Sequence, residues 1–141
     1  MKRGLTFILA CILMLSLAAL PAYAAEVDTA PVIQPRYTYL ANAWAGLKPT
    51  GGGWYNVTGG AGSTHGTMNI KVTVSIQKLG DSGFENLDTW YGEGFYSASA
   101  GGPRYICTSG TYRTRMDAAI YLEDGTLGET EFAFSDHLHI P

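Results

Sequence analysis

The stretch Met68-Asn69-Ile70-Lys71-Val72-Thr73-Val74-Ser75-Ile76-Gln77-Lys78-Leu79 alternates apolar and polar residues without a break as far as Gln77. Successive side chains of a strand point to opposite faces, so Met68, Ile70, Val72, Val74 and Ile76 share one side. Asn69, Lys71, Thr73, Ser75 and Gln77 share the other. The pattern predicts a central antiparallel strand with one face on a core and one in water. Five apolar groups on one face require cover, and the other strands must supply it.

A second ribbon runs from Tyr112 to Leu122. Tyr112, Thr114, Met116, Ala118, Ile120 and Leu122 fall on one face, and Arg113, Arg115, Asp117, Ala119 and Tyr121 on the other. The two ribbons are expected to press their apolar sides together. Glu123-Asp124-Gly125 reads as a turn, and Thr126 to Phe134 as the partner of the second ribbon. A two-residue loop at Asp124-Gly125 pairs Met116 and Ala118 with Ala133 and Glu131, leaving Phe132 and Phe134 beside Asp117 and Arg115. A three-residue loop shifts the pairing by one and exchanges the faces. Met116 then meets Phe132, Thr114 meets Phe134, and Ile120 meets Gly128. Burying two Phe rings is worth roughly 2–3 kcal/mol each, which outweighs a turn preference. The second register is therefore expected, with Gly125 as the left-handed residue of a type I turn plus bulge. Its defect is Asp117 opposite Glu131.

Elsewhere the strands are shorter. Tyr37 to Leu47 forms a first strand, broken near Gly46, and Pro49 to Gly53 is a turn by composition. Trp54 to Thr58 is a short aromatic strand, with a flexible glycine loop at Gly59–Gly66 after it, together suggesting an edge hairpin arm. That loop precedes a strand, not a helix, and no Gly-Lys-Ser or Gly-Lys-Thr follows, so a phosphate cradle is excluded. Gly80-Asp81-Ser82-Gly83 turns the chain into a strand from Phe84 to Tyr91. Phe95 to Ala98 reads as a short strand and Ala100-Gly101-Gly102-Pro103 as a turn. Short strands, glycine-rich turns and no helical period after residue 24 make an all-β antiparallel β-sandwich.

Met1-Lys2-Arg3, an apolar run from Leu5 to Leu20, Pro21 and Ala22-Tyr23-Ala24 are the parts of a secretory signal with its cleavage site. A membrane anchor needs about 20 apolar residues, more than this run has. A lipoprotein signal through Cys11 has too short an apolar lead-in. The reading is a signal peptide at 1–24, a leader at 25–35 carrying Pro31 and Pro35, and one domain at 36–141. Cleavage after Ala24 leaves 117 of the 141 residues, with seven basic residues against twelve acidic ones and a formal net charge of −5. That balance disfavours nucleic acid and anionic membrane as partners. Of the two cysteines only Cys107 remains, so no internal disulfide forms and the core must hold the fold. Cys107 reads as a small buried hydrophobe.

Pro35-Arg36-Tyr37, the strand ending Ile76-Gln77-Lys78, Gly110-Thr111-Tyr112-Arg113-Thr114-Arg115 and the closing Glu129-Thr130 resemble a group of small exported proteins of Gram-positive bacteria with a domain of unknown function. The resemblance spans most of residues 35–135 and implies an immunoglobulin-like sandwich without a known activity. Gly110-x-Tyr112 is also similar to the start of strand F in immunoglobulin-like domains, where a tyrosine hydroxyl bonds back to the chain. Thr114 stands where those domains place their second disulfide cysteine, and no first one exists.

Site chemistry is sparse. His137-x-His139 has spacing for one strand face, but zinc needs three or four ligands and only His65 is left to add, so chain-end polar residues is the preferred reading. Ser135-Asp136-His137 holds triad residue types, but adjacent residues cannot form the array, and no G-x-S-x-G occurs. No cofactor or metal is implied. Carboxylate pairs can come from distant positions, but a domain this small offers few deep clefts. The surplus is aromatic: Trp44, Trp54, Tyr55, Trp90, Tyr91, Tyr96 and Tyr121. Trp44 is assigned to the core. Trp54-Tyr55 and Trp90-Tyr91 are adjacent pairs, so one ring of each must face outward in a strand, where exposed rings mark binding surfaces. Asn56-Val57-Thr58 is a glycosylation sequon, without meaning in a bacterial source. The expectation is a secreted binding module for a protein or glycan ligand, using Trp54, Tyr55, Trp90 and Tyr91. The alternatives are a small secreted hydrolase using scattered carboxylates or His65, and a secreted antibacterial or toxin-like protein.

Overall fold

The computed structural model describes residues 38–141. The signal, the leader and the domain start near Arg36 lie outside the described residues. Eight strands follow in order: β1 Leu40–Gly51, β2 Trp54–Ser63, β3 Asn69–Gly80, β4 Gly83–Phe95, β5 Ser97–Tyr105, β6 Gly110–Tyr121, β7 Leu127–Phe134 and β8 Leu138–Ile140. They form two antiparallel sheets, one ordered β1-β2-β5 and one ordered β4-β3-β6-β7 with β8 also pairing β6. The sheets pack face to face as a sandwich. β1, β2 and β5 stand where an immunoglobulin-like domain has strands A, B and E, and β4, β3, β6 and β7 where it has C′, C, F and G.

β3 is the expected central strand, and Ile70, Val72, Val74 and Ile76 are fully buried. The second ribbon, β6, does not press against it from across the core. The two lie side by side in one sheet, with Ile70 opposite Ile120, Val72 opposite Ala118 and Val74 opposite Met116. Their shared inner face is covered by the small residues of the other sheet, Ala43, Ala45, Ala61, Ala98 and Ala100, with Leu47 and Val57. Large groups on one sheet and small ones on the other let the layers close. A methyl group added at Gly59 would stand 2.9 Å from both the Met116 and Val74 side chains.

That packing explains why the glycine run Gly59–Ser63 is strand, not loop. β2 is the middle strand of its sheet, and these five residues are buried. Ala100–Pro103 is likewise inside β5 instead of a turn. The β4–β5 edge closes by direct backbone contact: a methyl at Gly92 would come 2.2 Å from the Ser99 carbonyl oxygen and one at Gly94 2.3 Å from that of Ser97, while between β5 and β2 one at Gly101 would come 2.0 Å from that of Val57. Composition reads as turn, but the glycines serve close approach. The chain turns at Tyr96 (φ 67°), where the short Phe95–Ala98 strand was expected. Tyr96 is held there by its carbonyl accepting from Ser63 N at 2.8 Å. β1 runs unbroken through Gly46, with its irregularities between Leu40 and Asn42 and between Pro49 and Gly51 instead.

The β6–β7 hairpin has the expected turn and not the expected register. Gly125 N donates to Leu122 O at 2.9 Å, Leu122 N donates to Thr126 O at 2.9 Å, and Gly125 has φ 82°. This is the three-residue loop with a left-handed glycine. A bulge between Ile120 and Tyr121 then absorbs Gly128 and moves every later pair by one, so that Met116 faces Ala133, Ala118 faces Glu131 and Asp117 faces Phe132. Phe132 and Phe134 are thereby outward and exposed. Glu129 turns toward β1, where its Oε2 accepts from Tyr39 N (2.9 Å) and Leu40 N (3.1 Å) and closes that edge. Glycine fits closely at the bulge, since a methyl at Gly128 would stand 2.9 Å from the Leu122 side chain, which would have to shift.

The strand-F features are present. Tyr112 is fully buried and its hydroxyl donates to the Thr108 carbonyl at 2.8 Å. Thr114, at the disulfide position, instead bridges the sheets by donating from Oγ1 to the Gly46 carbonyl at 3.1 Å. Cys107 is exposed, contrary to its expected burial; it lies past the end of β5, in the connection to β6.

Candidate functional groove

The polar side of β3 is not a plain solvated face. Ser75 and Gln77 are buried although they point away from the core. Gln77 Nε2 donates to Asn86 Oδ1 (2.8 Å) while its Oε1 accepts from Arg113 Nε (2.8 Å), and Ser75 Oγ meets Thr89 Oγ1 at 3.0 Å. These bonds satisfy the buried polar groups and flatten them into a floor. Three adjoining concavities run along this outer face, of about 470, 630 and 560 Å³. The first two share Thr73, Arg115 and Asp117, and the second and third share Lys71 and Tyr121. From Gln77 to Asn69 the groove follows eight residue steps of β3, roughly 26 Å at strand rise.

Strand register sets its cross-section. Tyr91 is opposite Thr73, Thr73 opposite Asp117, and Asp117 opposite Phe132. Four neighbouring strands thus present an aromatic, a hydroxyl, a carboxylate and an aromatic in one transverse row, roughly 14 Å across at the usual strand spacing. Tyr91 is 79% exposed and Phe132 54%. Further along, Phe95 is 68% exposed. Ala119, small and in the middle of the face, leaves the widest concavity open between Tyr121 and Phe132.

Arg115 and Asp117 hold the centre. Arg115 Nε donates to both carboxylate oxygens (3.0 and 2.8 Å) and its Nη2 donates to Oδ1 at 2.6 Å. The Asp117 carboxylate, chiefly through these hydrogen bonds, raises the Arg115 pKa above its ordinary value. Both side chains are about 40% exposed, so the pair adds at most about 1 kcal/mol of stability and acts mainly to orient. Arg113 has a different role. Its guanidinium carbon lies 3.8 Å from the Phe84 ring centre and 4.0 Å from that of Phe134. Desolvation in that stack, and secondarily the charge of Arg115, pushes its pKa down. Phe132 and Phe134 lie 5.4 Å apart, so the outward rings and the two arginines form a stacked ladder on the β6–β7 edge.

Of the four aromatics assigned to binding from the sequence, only Tyr91 belongs to the groove, although Tyr121, counted in the aromatic surplus, lines it as well. Each adjacent pair does split, one ring out and one in: Trp54 and Tyr91 are exposed, while Tyr55 and Trp90 pack against the core. Trp54 is on the other sheet, 5.4 Å from Tyr105. Trp44, expected in the core, is 45% exposed and lies across Gly60, whose added methyl would meet its indole at 3.0 Å. The groove residues that sequence reasoning missed are Thr73, Arg115, Asp117 and Phe132. Their signal was the regular polar alternation itself, which reads as solvated surface until the register is known.

Among the described residues no three or more His, Cys, Asp or Glu cluster to hold a metal. His137 stacks on Phe84 at 5.2 Å, His139 Nδ1 lies 3.4 Å from Thr111 Oγ1, and His65 Nδ1 lies 2.8 Å from Thr64 Oγ1. Ser135 accepts from Thr114 N at 2.8 Å and joins β7 to β8. No family model, curated protein or solved structure matches this chain.

Proposed function

We propose that the chain is a secreted, non-catalytic binding module whose ligand lies along the groove on the outer face of the five-stranded sheet. One observation carries this reading: the transverse row Tyr91–Thr73–Asp117–Phe132, with two exposed rings bounding hydrogen-bonding side chains. Exposed rings are retained on a surface against the hydrophobic effect, and a row of them around polar groups has the composition of a recognition site. Asp117, the carboxylate at its centre, has both oxygens engaged by Arg115. That suits a group that accepts hydrogen bonds from a ligand and not a general acid that must give up a proton.

The full chain, expressed with its own leader and purified after export, is passed over purified peptidoglycan, chitin, cellulose and a panel of immobilised extracellular proteins. Released soluble product is assayed in parallel. Retention on at least one matrix is expected, lost in the Tyr91→Ala/Phe132→Ala double variant and kept in Trp54→Ala, with no product released. Turnover of a matrix, or retention that depends on Trp54 and not on Tyr91 and Phe132, overturns the reading.

A further inference from the structure

We infer that the groove ligand is an uncharged, hydroxyl-rich glycan chain; this rests on the binding-module reading above and adds the chemistry of the ligand. The groove crosses the face of a sheet whose inner strands have their backbone groups paired on both sides. A peptide that adds a strand needs unpaired backbone at a sheet edge, which this face does not offer. Recognition here must come from side chains.

The charged side chains that line the groove nearly balance, Lys71 and Arg115 against Asp117, Glu123 and Glu131. Arg115 is paired with Asp117, Arg113 is stacked between two rings and bonded to Gln77, and Lys71 lies over the Tyr121 ring at 5.3 Å opposite Glu93. A polyanion would meet Asp117, Glu123 and Glu131, and a polycation would meet Arg115 and Lys71. A neutral ligand meets neither obstacle. The Arg115–Asp117 pair uses Nε and Nη2 of the guanidinium and leaves Nη1 unused within the pair, while the carboxylate oxygens keep further acceptor capacity. One ion pair thus offers both a donor and an acceptor to hydroxyl groups, each of which donates and accepts at once. Rings at either end of the same row stack on the apolar C–H faces of sugar rings. The length of the groove suits several sugar units in line.

The test is titration calorimetry of the full chain with neutral oligosaccharides (cello-, chito-, manno- and xylo-series). Sulfated glycan and soluble extended peptides form the other arms. Binding to at least one neutral series is expected, little changed between low and high salt. Tyr91→Ala and Phe132→Ala should each weaken it by roughly tenfold or more, while Tyr91→Phe keeps it. Asp117→Asn should weaken neutral-glycan binding with an unchanged unfolding midpoint, which a merely structural pair would not produce. Binding only to sulfated glycan with a steep salt dependence, or only to peptide, overturns the glycan assignment and leaves the module intact. Retention of no neutral glycan also overturns it, and turnover of an oligosaccharide overturns the module itself.

Discussion

Replacing Phe132 with serine tests the β6–β7 register and the groove together. With Phe132 opposite Asp117 and 54% exposed, less than half of the ring's area is removed from water on folding. Full burial of Phe is worth about 2–3 kcal/mol, so this ring contributes about 1 kcal/mol by area. Its contact with Phe134 at 5.4 Å and the Arg115 guanidinium at 5.8 Å adds about 0.5–1 kcal/mol. The expected loss is about 1–2 kcal/mol in urea unfolding with an unchanged m-value. Ile120→Ala, on the fully buried inner face, is the comparator and should cost about 2–5 kcal/mol. In the register without the Gly128 bulge, Phe132 would face Met116 in the core and cost as much as Ile120 or more. A Phe132→Ser loss equal to that of Ile120→Ala would refute both the outward ring and the groove wall built from it.

Tyr112→Phe removes the hydroxyl that donates to the carbonyl of the exposed Thr108, so a loss of about 0.5–1.5 kcal/mol is expected by denaturant titration. Gly101→Ala would force a methyl to 2.0 Å from the Val57 carbonyl at φ 138°, and should unfold the chain or cost more than about 3 kcal/mol, whereas Gly66→Ala meets nothing within 4 Å and should be close to neutral; circular dichroism melts of the two separate these outcomes. Asp124 Oδ1 accepts from Thr126 N and Oγ1 at the β6–β7 turn, and these bonds, led by the hydroxyl, hold its pKa below the ordinary 3.8. A lowered folded value means the contribution is present above the unfolded carboxylate range and is lost as pH falls through the folded value. Asp124→Asn should flatten that acid limb of the pH–stability curve, and an unchanged limb would show that the turn bonds do not favour the carboxylate.

Much of the architecture was legible before any coordinates. The period-two patterns of β3 and β6, the turns at Asp81–Ser82 and Glu123–Gly125, the tyrosine corner and the all-β class rest on local rules. The split of Trp54-Tyr55 and Trp90-Tyr91 into one outward and one inward ring follows from the same alternation. The misread turns share a cause in glycine. Gly59–Gly62 and Gly101–Gly102 resemble turns in composition, yet they sit in strands because the opposite sheet and the Trp44 and Trp90 rings occupy the space of a side chain.

Sequence alone determined which residues alternate, and hence that two ribbons each have an apolar and a polar side, because strand geometry is a property of the backbone within a few residues. Tertiary structure decided what those sides meet. One bulge at Gly128 exchanged the faces of β7, turned Phe132 outward and brought it into line with Asp117, Thr73 and Tyr91. Local propensity is silent on such a choice: the energy that selects it lies in contacts between residues as far apart as Glu129 and Tyr39.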